Sequence, residues 1–161
     1  MNRRQFLEQL TLATGSTLIL PAFSSLPDEP FNFKISLAEW VHNLEIFSGE
    51  MDHLDFPIVA KQNYGLEAVE YVNQFFPDKA EDMTYLSELK KRADDHGVRS
   101  VLIMVDNEGE VSSTDDATHT QAVENHYKWV EAARFLGCHS IRINLFGAQD
   151  ANDWIAASVD G

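Results

Sequence analysis

Hydrophobic and polar positions along the chain form blocks that predict strands and helices in turn. Short runs rich in Val, Ile and Leu are typical of strands covered on both faces. The clearest is the unbroken apolar run at residues 101–105. The pattern predicts four strands, at residues 34–40, 66–73, 99–106 and 139–146.

Between these strands, apolar residues recur every three to four positions, which is typical of amphipathic helices. Helices are predicted at residues 55–64, 82–96 and 118–136, and a fourth begins near Asn152 or Asp153. Asp55 is the expected N-cap of the first of them, with Pro57 in its first turn. Strands that alternate with helices indicate an α/β protein with a parallel sheet, here of four βα units.

A repeated motif marks where three of the strands begin. Gly65, Gly97 and Gly137 are each followed by a small residue at the fourth place of the motif and a β-branched residue at the fifth. Glycine suits the left-handed residue that ends a helix, and β-branched residues favour the strand that follows. The spacings of 32 and 40 residues fit one βα unit, which favours the N-terminal half of a (β/α)8 TIM barrel.

Glu70 and Arg142 both stand five positions after their glycine, on the second and fourth strands. Alternate strands of a (β/α)8 barrel contribute to the same interior layer. We therefore expect both side chains to point inward and to form a charge-compensating pair. The alternative is that Glu70 is simply exposed at a strand end.

The length of the chain bears on this architecture. A complete barrel needs about 250 residues, whereas the sequence has 161. Three alternatives follow: a sequence truncated in the fourth helix, two copies that assemble, or an open four-stranded sheet. We favour truncation, and we expect such a fragment to self-associate through its open edges.

The first 24 residues are predicted to be an export signal of the twin-arginine type. Arg3 and Arg4 precede a mildly apolar stretch at residues 10–20, and Ala22-Phe23-Ser24 fits a cleavage site. Residues 25–32, with two prolines, are predicted to be a linker before the domain at 33–161. Export to the periplasm is therefore expected, with no membrane span after the signal is removed.

Charge and cysteine content exclude some classes of partner. The formal net charge of −14 repels nucleic acid, and no basic stripe offsets it. Cys138 is the single cysteine, so neither an internal disulfide nor a cysteine-based zinc site can form.

Several segments together resemble the xylose-isomerase-like TIM-barrel family of sugar phosphate isomerases and epimerases, in particular its exported bacterial branch. They are Ile35-Ser36-Leu37-Ala38-Glu39-Trp40 with His42, residues 67–72, residues 102–106 and, most strongly, residues 122–144. The resemblance covers about residues 33–161. It implies a sugar isomerase or epimerase that uses a divalent metal (Mn, Mg, Co or Zn) in the full-length protein. The family's metal ligands lie in the second half of the barrel, so no metal ligand or catalytic residue is assigned here, and the chain alone is expected to be inactive.

Barrel enzymes bind their substrates at the carboxyl ends of the strands. The candidate substrate-binding residues at those ends are Trp40, His42, Glu70, Asp106, Glu108 and Asn144, with Asn73 beside them. An aromatic wall with acids and amides suits a sugar or polyol, whose hydroxyl groups need donors and acceptors. Ordinary barrel packing for Trp40, a solvated loop for His42 and a plain acidic loop for Asp106 and Glu108 remain the alternatives.

Two other functions remain open on the same scaffold, because a fold does not determine its chemistry. One is a non-catalytic periplasmic carbohydrate-binding barrel, and the other is a hydrolase or lyase. The nucleophile elbow, the phosphate loop, the dinucleotide motif and the His-Glu-x-x-His motif are absent from the sequence. Their absence weakens the interpretation as a serine hydrolase, nucleotide hydrolase, nicotinamide enzyme or zinc protease.

Overall fold

Four parallel strands form one sheet, in sequential order, in the computed structural model, which describes residues 33–161. They are β1 (Leu37–Ala38), β2 (Ala68–Val72), β3 (Arg99–Val105) and β4 (Ser140–Ile143). The predicted alternation of parallel strands and helices is confirmed, and every strand is shorter than predicted. The proposed signal at residues 1–24 and the linker at 25–32 lie outside the described residues.

Helices follow each strand. They are α1 (Asn43–Ser48), α2 (Phe56–Tyr64), α3 (Met83–Asp95), α4 (Asp116–Leu136) and α5 (Ala151–Asp160), with 3-10 turns at Glu39–His42, His53–Asp55 and Asn73–Phe75. The pattern of apolar positions missed α1 and the three turns. In residues 33–161, no helix combines the length and the apolar character that a membrane crossing requires.

The hydrophobic core lies between the sheet and the helices. Val69, Tyr71, Ile103 and Val105 alternate along β2 and β3 and are all at most 1% exposed. They pack with Trp129 and other buried residues of α4. The intervening residues of the strands therefore face the other side of the sheet, where Glu70, Leu102, Met104 and Arg142 are partly or largely exposed.

Aspartate side chains begin the three longest helices of the described chain. The carboxylates of Asp82, Asp115 and Asp150 each accept a hydrogen bond from a backbone N–H in the first turn of α3, α4 and α5. The prediction that Asp55 caps α2 is wrong in one respect: Asp55 precedes the helix, but its carboxylate accepts no backbone hydrogen bond there. Its backbone is already helical and its side chain pairs with Arg92 instead.

The register of the sheet separates Glu70 from Arg142. Glu70 lies beside Leu102, Leu102 lies beside Ser140, and Arg142 is two residues further along β4. The predicted Glu70–Arg142 pair is therefore wrong, although both residues face the same side. Glu70 instead accepts a hydrogen bond from Ser36, and Arg142 pairs with Asp106. A stagger of this kind is what tilted barrel strands require.

We predict that Gly137→Ala lowers the free energy of unfolding by about 1–2 kcal/mol, because alanine disfavours the left-handed backbone. Gly137 ends α4 at φ 84°, and an added Cβ would meet no atom within 4 Å. The penalty is therefore conformational and not steric. Urea unfolding checks it, with Gly137→Asn as the matched control, since asparagine tolerates this backbone better. Equal losses for the two variants would contradict the prediction.

Candidate functional site

The Asp106 carboxylate, directly after β3, collects hydrogen bonds from three side chains. Oδ2 accepts from Gln74 Nε2 at 3.0 Å, and Oδ1 accepts from Arg142 Nη1 at 3.0 Å and from the side-chain amide of Asn144. The same Arg142 nitrogen also donates to Asn144 Oδ1 at 2.7 Å. The four residues follow or end three adjacent strands, so the parallel sheet brings them to one edge.

Asn73 joins the ends of β2 and β3 beneath this cluster. Its Nδ2 donates to the carbonyl of Asp106 at 2.9 Å, and its Oδ1 accepts from the backbone N–H of Asp106, also at 2.9 Å. The side-chain amide thus takes the place of a further backbone rung of the sheet. Asn73 is 3% exposed, so this bridge is shielded from water and holds Asp106 in position.

An aromatic wall stands beside the polar cluster. Trp40 stacks on Phe75 with ring centroids 5.8 Å apart and meets Phe47 edge-on at 6.2 Å. Phe47 and Phe75 are themselves 5.0 Å apart. Trp40 remains 46% exposed, so part of its indole is available to a ligand.

Wall and cluster enclose a cleft of about 280 Å³, lined by Trp40, Val72, Met104, Asp106 and Arg142. Val72 and Met104 supply an apolar floor, whereas Asp106 and Arg142 supply an acceptor and donors. Arg142 is the single basic residue in this lining, and its guanidinium is already paired with Asp106. The cleft therefore offers hydrogen bonds without a strong net positive charge.

A larger groove of about 540 Å³ lies between α3 and α4, lined by residues such as Met83, Leu86, Tyr127 and Phe135. None of its lining residues belongs to a strand or to the first residues after one. Parallel α/β proteins bind their ligands at the carboxyl ends of the strands. We therefore place the candidate site in the smaller cleft.

The structure brings together Trp40, Asp106 and Asn144 of the predicted candidates, with Asn73 beside them, and places the other three elsewhere. His42 contacts Tyr64 and Glu45 and meets Phe56 edge-on. Glu70 is occupied by Ser36. Glu108 accepts from the indole N–H of Trp129 at 2.6 Å and pairs with Lys128, so its contacts tie a loop to α4.

The divalent metal implied by the resemblance does not fit this part of the chain. Among residues 33–161, no group of three or more His, Cys, Asp or Glu side chains has a geometry that could hold a metal ion. The Asp106 carboxylate oxygens already accept N–H groups from Gln74, Arg142 and Asn144, and an N–H donor cannot bind a metal ion. No catalytic step through a metal is assigned to these residues.

The thiol of Cys138 is also a weak candidate for chemistry. Burial raises its pKa to about 12, so the thiol stays protonated and unreactive at neutral pH.

Comparison with known proteins does not identify a family. No protein-family model matches the chain, and no curated protein is significantly similar to it in sequence.

Four residues of interest were not predicted as site residues. Arg142 was assigned to a different partner, and Gln74 lies in a 3-10 turn that no periodic pattern announces. Glu39 and His53 are buried polar residues at the same end of the sheet. A glutamate between Ala38 and Trp40 at a strand end was a usable signal, because an ionisable side chain next to a buried strand needs a partner.

Proposed function

We propose that the cleft beside Trp40 binds a sugar or sugar-like polyol, and that residues 33–161 are the first half of a (β/α)8 barrel of the isomerase and epimerase type. The observation that carries the proposal is the convergence of Gln74, Arg142 and Asn144 on the Asp106 carboxylate, next to a half-exposed indole. Such a combination suits a ligand with many hydroxyl groups and apolar C–H faces.

The chemistry of the cleft favours a neutral polyol over an anionic one. Its single arginine is neutralised by Asp106, and the whole chain carries a formal net charge of −14. A phosphorylated sugar would meet repulsion from this field without an unpaired cation to offset it. Hydroxyl groups can instead accept from the amide and guanidinium N–H groups and donate to the carboxylate.

Support for the half-barrel comes from the sheet. Parallel strands in sequential order and a two-residue stagger between β3 and β4 are features that barrels share. In such a barrel the polar face that bears Glu70 and Arg142 would point to the interior. Export through the predicted signal at residues 1–24 is part of the same proposal, and it would place the substrate in the periplasm.

The role proposed for the described residues is to bind and orient the substrate. Trp40 packs against a sugar face, and Asp106 with its partners holds hydroxyl groups in register. Because these side chains are already hydrogen-bonded to one another, they suit recognition better than proton transfer. That observation keeps carbohydrate binding without catalysis as the second candidate function.

We predict that Asp106→Ala weakens binding of a neutral sugar about tenfold to 100-fold, since a hydrogen bond to a charged group contributes about 1.5–3 kcal/mol. Isothermal titration calorimetry of the full chain with D-glucose, D-xylose and sorbitol provides the measurement. Trp40→Ala should weaken binding about threefold to tenfold through the loss of stacking. Trp40→Phe should retain most of the affinity.

Glu110→Gln is the matched control, because Glu110 is an exposed acid in the same loop as Asp106. It should leave the affinity unchanged. Absence of binding by all three probes, or equal losses for Asp106→Ala and Glu110→Gln, would refute the proposed site.

A further inference from the structure

Two ionisable side chains face each other inside the protein, next to the cleft. Glu39 follows β1 and is fully buried, and His53 is 4% exposed. The distance from His53 Nε2 to Glu39 Oε1 is 3.5 Å. Within residues 33–161, neither of these two atoms has a hydrogen-bond partner. An unpaired buried polar atom lowers the stability of the fold, and here two such atoms lie side by side.

The other polar atoms of both side chains are engaged. Glu39 Oε2 accepts from the backbone N–H of Val72 at 3.0 Å, and His53 Nδ1 lies 2.7 Å from the Tyr85 hydroxyl. The imidazole stacks on Phe76 with centroids 4.3 Å apart. The ionisable groups that interact with the pair itself are Asp52, Tyr71 and Tyr85. Asp82 and Arg92 act on Tyr85, and Asp55 pairs with Arg92.

Burial determines how many protons the pair can hold. It raises the pKa of Glu39 well above its ordinary value and lowers the pKa of His53 to about 3. The pair can hold one proton in two arrangements. The proton lies either on Glu39 Oε1, beside a neutral imidazole, or on His53 Nε2, beside a carboxylate. In both arrangements His53 Nδ1–H donates to the Tyr85 hydroxyl. Loss of the proton would leave an uncompensated negative charge among aromatic rings, which is unfavourable.

The same carboxyl group is connected to two residues of the candidate site. Glu39 immediately precedes Trp40, which forms the wall of the cleft. Its other oxygen binds the backbone of Val72, which immediately precedes Asn73. The protonation state of Glu39 therefore bears directly on the backbone that carries Trp40 and Asn73.

We propose that Glu39 is a positioning residue that shares one proton with His53, and that loss of this proton at alkaline pH displaces Trp40 and opens the cleft. The effect on ligand binding rests on the proposed function, whereas the effects on stability and on Trp40 do not.

The direction of the pH dependence follows from counting protons. The unfolded chain has ordinary pKa values of 4.5 for Glu39 and 6.5 for His53. Between these values, folded and unfolded pairs each hold one proton, so their contribution to stability is level. Above pH 6.5 only the folded pair keeps its proton, and stability falls as the pH rises toward the folded pKa of Glu39. Below pH 4.5 the unfolded pair takes up a second proton, and stability falls as the pH decreases.

Glu39→Gln isolates this contribution, because it removes the titrating group and keeps its shape. The folding equilibrium constant of the unaltered protein, divided by that of the variant, should fall about tenfold for each pH unit above pH 5 and should level off at the pH where the folded pair loses its proton. Urea unfolding followed by far-UV circular dichroism measures the ratio. Glu50→Gln, at an exposed residue of the loop between α1 and His53, should give a ratio independent of pH. A pH-independent ratio for Glu39→Gln overturns the shared proton.

Two further measurements complete the test. Tyr85→Phe removes the partner of His53 Nδ1 and keeps Glu39, so it should lower stability and retain the pH slope. In protein labelled with 5-fluorotryptophan, the ¹⁹F resonance of Trp40, assigned with Trp40→Phe, should shift over the pH range in which that ratio levels off and should stay constant in Glu39→Gln. A Trp40 resonance that does not respond to pH in the unaltered protein overturns the positioning role.

Binding of D-glucose, D-xylose and sorbitol across the same pH range separates the two proposals. Binding that is weaker above the pH at which the Trp40 resonance shifts than it is at pH 6, with no such difference in Glu39→Gln, supports both. If the Trp40 resonance and the stability titrate as expected but no probe binds at any pH, the positioning role stands and the proposed function fails. If a probe binds equally at every pH, the coupling of the proton to the cleft is refuted while the proposed function stands.

Discussion

Replacing Trp129 with alanine is expected to lower the free energy of unfolding by about 3–5 kcal/mol. Trp129 is fully buried on α4 and meets Phe76 edge-on, with ring centroids 5.2 Å apart. Its indole N–H also donates to Glu108, so the substitution removes the packing of α4 against the core and a partner of a largely buried carboxylate. A loss of this size is a large part of the 5–15 kcal/mol that stabilises a typical domain.

Urea unfolding followed by far-UV circular dichroism measures this loss without relying on tryptophan fluorescence. Trp129→Phe keeps one six-membered aromatic ring and loses the five-membered ring with its N–H donor, so it should cost about 1–3 kcal/mol. Tyr127→Ala, on the exposed face of the same helix, should change stability by less than about 0.5 kcal/mol. Similar losses for Trp129→Ala and Tyr127→Ala would show that α4 is not anchored by Trp129.

Most of the fold could be predicted because its signals are local. The apolar run at residues 101–105 indicated a covered strand, and β3 occupies Arg99–Val105. The end of α4 requires a left-handed backbone, which glycine tolerates and few other residues do. Gly137 has this conformation. The short helix α1 was missed because Leu44 and Phe47 are exposed, so no buried stripe repeats along it.

The candidate site could be predicted only in part, because a binding site depends on register. Asp106 was found from its place after a strand, which is a property of the sequence alone. The partner of Arg142 was wrong because counting from the preceding glycine assumes that all strands start level. In the structure β4 is shifted by two residues relative to β3, which moves Arg142 from Glu70 to Asp106. Such a shift follows from strand tilt and twist, and no single residue in the sequence predicts it.

The shortness of β1 has a physical cause of the same kind. Only Leu37 and Ala38 pair with β2, and the next residue turns its carboxyl group to the backbone N–H of Val72. A side chain thus occupies a position that a longer strand would fill with a backbone carbonyl. The prediction extended this strand to Trp40 because it relied on the apolar residues. It could not include the replacement of a backbone carbonyl by a side chain. Because the chain turns at Glu39, Trp40 is released from the sheet to form the wall of the cleft.

The side chain of Asn73 likewise takes the place of backbone hydrogen-bonding groups, here between β2 and β3. Removing this side chain should affect both the stability of the protein and the candidate site. We predict that Asn73→Ala lowers the free energy of unfolding by about 1–3 kcal/mol, because two buried hydrogen bonds to the backbone of Asp106 are lost. The backbone amide of Asp106 should then exchange its proton with solvent much faster. Urea unfolding and hydrogen exchange followed by NMR measure the two effects.

The controls test whether the effects are specific to the hydrogen bonds between Asn73 and the backbone of Asp106. Asn63→Ala, at an exposed position near the end of α2, should change neither stability nor the exchange of the Asp106 amide by a comparable amount. Asn73→Asp keeps an acceptor for the Asp106 N–H but places a carboxylate oxygen against the Asp106 carbonyl, so it should protect the amide and still destabilise the protein. If Asn73→Ala leaves the Asp106 amide protected, the bridge does not hold Asp106 in place. The three groups that converge on the carboxylate would then be sufficient to position it.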